Sequence, residues 1–228
     1  MKHLINTVKI AVNEKTYVKN PESSDLGKRI VQSGIALISE VGFENFNFRK
    51  LGARIGSNES SVYRYFENKH KFLIYLSSWY WGWKEYQLVL TTNNIQDPAF
   101  KLERALNVLT EPVEADSSFS YIDEAALYQI VINEYSKSFL TKEVDRENKE
   151  GYFEIYKRMV GRLQDMILAV DPDYPFAASL ASTVLEGAMH QYFLKEHFPS
   201  LTDCSDKDAL YNFFKHQVFT SLNVQIDD

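Results

Sequence analysis

Five histidines, one cysteine and thirty-one carboxylates are the groups in this 228-residue chain that could bind a metal or move a proton. A di-iron helical bundle needs Glu-x-x-His on two helices and two further carboxylates. Only one such spacing occurs, Glu67-x-x-His70. Glu186 and His190 stand four apart, on one face of a helix, and His197 follows seven residues later. A lone histidine on an apolar helix is more often a packed or pocket residue than a ligand. Cys204 lacks a CxxC partner, and neither a glycine-rich phosphate loop nor a G-x-S-x-G elbow is found. The sequence therefore gives no reason to expect a metal, a cofactor or catalysis.

Composition narrows the setting. A single cysteine leaves no intrachain disulfide and fits a reducing cytoplasm. No signal peptide is recognisable, and no apolar run approaches the ~18 residues needed to span a bilayer. Fifteen Phe, 14 Tyr and 3 Trp supply ample material for a core. Charge is uneven: residues 25–71 hold eight basic and five acidic residues, net +3, whereas residues 72–228 hold thirteen and twenty-four, net −11. A modestly basic module on an acidic remainder suggests that one end faces phosphate and the other does not.

The elements that could use such a module lie between Phe48 and Phe72. Leu51 and Ile55, four apart, suit a short amphipathic helix. Gly56 should end it in a left-handed C-cap. Asn58 is a good N-cap for the next helix, with Val62, Tyr65 and Phe66 on its apolar face. Helix, glycine turn and helix make a helix-turn-helix unit, whose second helix enters the major groove of DNA. By periodicity alone an ordinary helical corner is an equal reading. The spacing also assigns Ile30, Ile35, Leu37, Ile38, Phe43, Phe46, Phe48, Leu51, Ile55 and Phe66 to the core.

A wider set of residues separates the two readings. Ser39-Glu40-Val41-Gly42-Phe43, Phe46-x-Phe48-Arg49-Lys50-Leu51, Gly56, and Val62-Tyr63-Arg64-Tyr65-Phe66-Glu67-Asn68-Lys69 together resemble the DNA-binding domain of the TetR family of transcriptional regulators. The resemblance covers about residues 26 to 73. It implies a recognition helix carrying Asn58, Glu59, Ser60, Ser61, Tyr63 and Arg64, with Arg49 and Lys50 at the start of the preceding helix. Arginine suits base reading because its planar fork bonds guanine O6 and N7 together. Glu59 has a second reading as a first-turn acid favoured by the helix dipole. Tyr63, Tyr65 and Lys69 match the family's phosphate clamp, which fixes register without reading sequence; Tyr65 also fits a core position. Ser57 departs from the family's apolar turn residue, so a hydrogen bond is expected to hold the turn.

The rest of the chain reads as helices over about Lys69–Val89, Pro98–Thr110, Ile122–Ser138, Lys149–Ala169, Pro175–His197 and Asp206–Leu222, with Pro98 and Pro175 at first-turn positions. Tyr75, Trp79, Trp83 and Tyr86 recur at helical spacing on the first of these. By resemblance this helix lines a ligand cavity, with Tyr128, Glu134 and His190 as further candidates; ordinary aromatic core is the alternative. The resemblance also makes the last two helices a dimer interface, with Leu185, Ala188, Tyr192, Phe213, Phe214, Gln217 and Val218. Near the N-terminus, alternating Val8, Ile10 and Val12, then Asn13-Glu14, then Thr16, Tyr17 and Val18 fit a β-hairpin, with a flexible arm along DNA as its rival.

The sequence thus predicts an all-α protein in three parts: an N-terminal extension (1–24), a three-helix DNA-binding domain (25–73) and a helical effector-binding and dimerisation domain (74–228). The expected function is that of a homodimeric, cytoplasmic regulator. It would bind a palindromic double-stranded DNA operator as a repressor and leave it on binding a small, mostly apolar effector. The alternative is a DNA-binding or adaptor protein with no effector; neither reading involves a membrane.

Overall fold

Helices begin where a side chain can accept an otherwise unpaired backbone N–H. Ser24 accepts from Gly27 N, Asn47 from Lys50 N, Asn58 from Ser61 N, Asp97 from Phe100 N and Asp123 from Ala126 N, at 2.7–3.2 Å. The computed structural model describes residues 10–113, 121–206 and 208–224. It contains α1 (Asp25–Asn45), α2 (Phe48–Arg54), α3 (Glu59–Tyr63), α4 (Lys69–Thr92) and α5 (Pro98–Thr110). These are followed by α6 (Glu124–Phe139), α7 (Val144–Lys149), α8 (Glu154–Val170), α9 (Ala177–His197) and α10 (Ala209–Ser221). The fold is all-helical, with no strand among the described residues.

The chain divides into two compact units. The first comprises Met1–Gly82 and Val113–Ile155; the second comprises Trp83–Pro112 and Tyr156–Asp228. In the first, α1 packs on α2 and α6, and α2 packs on α3. Its head core is built from Ile30, Ile35, Leu37, Ile38, Phe43, Phe46, Phe48, Leu51, Ile55 and Phe66, all buried as their spacing predicts. Phe72 ties these rings together, 5.5 Å from Phe46 and 4.8 Å from Phe66. In the second, α10 packs on α5 and α9.

Three expectations need correction. The N-terminal hairpin is absent from the described residues: Glu14–Thr16 is a 3-10 turn capped by Asn13, whose side chain accepts from Lys15 N. Val8, the start of the expected first strand, lies outside the described residues. The helix expected over Lys149–Ala169 starts five residues later, as α8 at Glu154: Lys149 instead ends α7, for which no helix was expected, and Gly151 at φ +83° turns the chain between the two. Pro175 does not open the next helix; it precedes Phe176, the N-cap residue of α9. Pro98 does occupy its first turn, behind Asp97. No described helix is long and apolar enough to cross a membrane.

Candidate nucleic-acid interface

The turn between α2 and α3 is closed by backbone geometry that only glycine adopts without strain. Gly56 has φ +67°. Its N–H donates to Ala53 O at 3.2 Å, and Ser57 N–H donates to Gly52 O at 2.8 Å. This is the paired Schellman arrangement, which satisfies carbonyls the helix end would otherwise leave open. Ser57 Oγ then donates to Ser61 Oγ at 2.8 Å, and Ser61 Oγ donates to Asn58 Oδ1 at 3.1 Å. A hydrogen bond does hold the turn, as the polar residue at position 57 suggested.

Around α3 the side chains separate into exposed and internally bonded groups. Arg49, Asn58, Ser60, Tyr63 and Arg64 are exposed, while Glu59 and Ser61 are half-buried. Tyr63 is 48% exposed and packs its ring edge-on against Phe48 at 5.1 Å. Partial burial, and then the neighbouring Glu59 carboxylate, push its phenol above the ordinary range. Lys50 Nζ donates to Asn45 O at 2.8 Å. Lys69 Nζ reaches Phe43 O at 3.2 Å and Glu44 O at 3.3 Å, so it caps the C-terminal end of α1, where a cation suits the dipole. Tyr65 is only 3% exposed; its hydroxyl shares a 2.7 Å hydrogen bond with Ser24 Oγ, and the Lys19 ammonium lies over its ring. Arg54 is bound by both guanidinium ends to the Glu40 carboxylate.

Sequence reasoning gave no role to Ser24, Glu40 or Glu44, which hold Tyr65, Arg54 and Lys137. Their partners are 41, 14 and 93 positions away in the chain, so no local pattern points to them.

The seven residues expected to line a cavity are not brought together within one unit. Tyr75, Trp79, Tyr128 and Glu134 belong to the first unit; Trp83, Tyr86 and His190 belong to the second. Tyr75 is buried against Phe66 at 5.2 Å and Tyr17 at 6.1 Å, and burial raises its phenol well above the usual value. Tyr128 stacks on Tyr80 at 5.7 Å, and Glu134 pairs with Lys137 at 2.7 Å. Trp79 and Trp83 are buried, Tyr86 is half-buried and His190 is exposed. Of the residues expected at a dimer interface, Leu185, Ala188, Phe214 and Val218 are buried within the single chain. Tyr192 donates to Thr110 O at 2.8 Å, Gln217 is half-buried, and Phe213 stays 44% exposed. No group of three or more His, Cys, Asp or Glu among the described residues is placed to hold a metal ion.

A capped three-helix head carrying a helix-turn-helix, continued by a helical remainder, defines the class. Residues 30–76 match the family of bacterial regulatory proteins named tetR. No curated protein sequence matches the chain. Among solved structures, a transcriptional regulator from Rhodococcus sp. Rha1 is 17% identical with a TM-score of 0.59, covering 90% of this chain and 97% of that one. The fatty acid degradation regulator FadR from Bacillus halodurans is 17% identical with a TM-score of 0.59, covering 87% and 95%. AibR in complex with isovaleryl coenzyme A and operator DNA is 14% identical with a TM-score of 0.56, covering 85% and 97%. At these identities the likeness establishes a shared fold.

Proposed function

We propose that the chain is a sequence-specific, DNA-binding transcriptional regulator, acting as a homodimer and released from its operator by a small, mostly apolar effector. The observation that carries this reading is the capped helix-turn-helix at Gly56 and Asn58 inside the segment matching the tetR family. Residues 25–73 are the reading head and residues 74–228 the effector-binding and dimerisation part. Arg49, Ser60 and Tyr63 face bases or phosphate, with Lys50, Asn58, Glu59, Ser61 and Arg64 beside them. Lys69 and Tyr65 set the helix ends that support them. Exposed Phe213, with Tyr192 and Gln217, supports a dimer contact on the last two helices. A dimer gives two heads at a fixed half-site spacing, which a single small head lacks. AibR, crystallised with an acyl coenzyme A and operator DNA, supports both partners by analogy of fold.

A second reading, a DNA-binding protein without an effector, is favoured by the ring packing around Tyr75, which places Phe66 and Tyr17 against it. Fluorescence anisotropy on DNA from upstream of the chain's own gene, against scrambled DNA at several salt concentrations, tests the DNA assignment. A preference of at least ~10³-fold is expected of a site-specific regulator. Equal affinity for both would reject sequence-specific recognition of that fragment. Release of bound DNA by a small apolar ligand would then separate the two readings.

A further inference from the structure

The segment from Ile10 to Ser24 lies ahead of the tetR match yet is fastened at several points to the first unit. At its start, Ile10 fills the notch left by Gly82 on α4: a Cβ at position 82 would stand 2.5 Å from Ile10 Cγ2. Asn13 Nδ2 then donates to Glu150 O at 3.1 Å, beside the Gly151 turn that follows α7. Thr16 is fully buried, and Lys71 Nζ donates to Lys15 O at 3.1 Å. Val18 N–H donates to Tyr65 O at 2.8 Å, just beyond the end of α3. Finally Ser24, which caps α1, hydrogen-bonds the Tyr65 hydroxyl.

We propose that residues 10–24 are a built-in strap that couples the Gly151 turn to the C-terminal end of α3. Shifts in the α7–Gly151 segment then reach the reading helix through this strap as well as along α4. The physical reason is lack of slack. The five residue steps from Asn13 to Val18 span at most about 18 Å fully extended. The 3-10 turn at Glu14–Thr16 shortens that reach, and the buried Thr16 holds its middle. Moving the Gly151 turn away from Tyr65 must therefore unwind this turn and pull Thr16 from its buried site, or strain the Asn13–Glu150 or Val18–Tyr65 hydrogen bond. The regulatory meaning of the strap rests on the DNA-binding reading above; the mechanical coupling does not.

Amide hydrogen exchange on the full chain, without DNA, tests the coupling through three variants. Asn13→Ala removes both the turn cap and the bond to Glu150. Asn13→Asp keeps an acceptor for Lys15 N–H but cannot donate to Glu150. Gly82→Ala evicts Ile10 from the opposite side while adding a good helix former to α4. In all three, exchange at Val18 should accelerate at least ~10-fold, with faster exchange at Tyr65 and Phe66, and in Gly82→Ala the α4 amides should stay protected. Changes confined to residues 10–16 and 147–152, or wild-type behaviour of Asn13→Asp, would overturn the strap. Coupled exchange in a chain that binds no DNA would sustain the strap and reject the regulator.

Discussion

Lys84 Nζ donates a 2.9 Å hydrogen bond to the carbonyl oxygen of Val108, in the last turn of α5, from a side chain that is only 4% exposed. Among the described residues it forms no ion pair. Its one neutral acceptor, the Trp83 ring 5.5 Å from the ammonium and the negative end of the α5 dipole must offset the loss of water. Burial lowers its pKa to about 8 from 10.5, against a smaller opposing pull from Glu111.

That shift fixes the sign of a pH dependence. Below about pH 8 both the folded and the unfolded chain hold the proton, and the folded state bears the full cost of burying it. Between about 8 and 10.5 the folded state releases the proton first. Stability from this group should therefore rise with pH across that window, by an amount on the order of 3 kcal/mol. Lys84→Met should raise the midpoint of thermal unfolding at pH 7, by about 1 kcal/mol of stability after losing the Val108 bond. It should also flatten the change in stability between pH 8 and 10. A lower melting temperature at pH 7 would show that the hydrogen bond outweighs the buried charge.

At the turn, Gly56→Ala should cost about 1–2 kcal/mol in urea unfolding, since a Cβ disfavours φ +67°. Beyond its two chain neighbours, no heavy atom lies within 4 Å of the added Cβ, so the penalty is backbone strain rather than a clash. Gly56→Asn should lose less, because asparagine tolerates the left-handed region. Equal losses for the two would point to a cause other than backbone conformation.

Base and phosphate roles should separate by sequence dependence. Arg49→Ala is expected to relax sequence preference by about 1–3 kcal/mol at one position. Tyr63→Phe should weaken binding to all sequences alike, as loss of a phosphate contact does. Tyr65→Phe should instead lower folding stability by about 1 kcal/mol, through loss of the Ser24 hydrogen bond. Anisotropy titrations on operator, single-substituted and scrambled DNA and parallel urea melts distinguish the three.

His70 and Glu147 form the remaining test. His70 Nε2 lies 2.9 and 3.2 Å from the two carboxylate oxygens of Glu147, which is 1% exposed. His70→Ala would leave a buried carboxylate without this partner and should cost about 3 kcal/mol. The double change His70→Ala/Glu147→Leu should recover part of that loss, because no charge then remains to be solvated. A double mutant no more stable than His70→Ala would mean that the cost comes from packing rather than charge.

Much of the head was legible because its signals are local. Asn58 caps α3 three residues ahead of Ser61, and Gly56 stands where the chain must turn. Leu51, Ile55, Val62 and Phe66 recur at helical spacing and are buried. Pro98 behind Asp97 likewise marked the start of α5. Helix α7 was missed because its stretch, Val144–Lys149, holds a single apolar residue and so shows no helical periodicity.

What the sequence determined by itself is therefore what neighbours within a few residues dictate: helix starts, the glycine turn, the apolar faces and the helix-turn-helix. Tertiary structure alone decided which polar groups are spent internally. Tyr65 is committed to Ser24, Lys69 to the end of α1, and residues 10–24 to Tyr65 and Glu150 rather than to a hairpin. It likewise distributed the aromatic column of α4 between two units, with Tyr75 and Trp79 in one and Trp83 and Tyr86 in the other. The reason is physical: a hydrogen bond or a packed ring depends on which distant segment arrives opposite it, and chain-local periodicity carries no record of that partner.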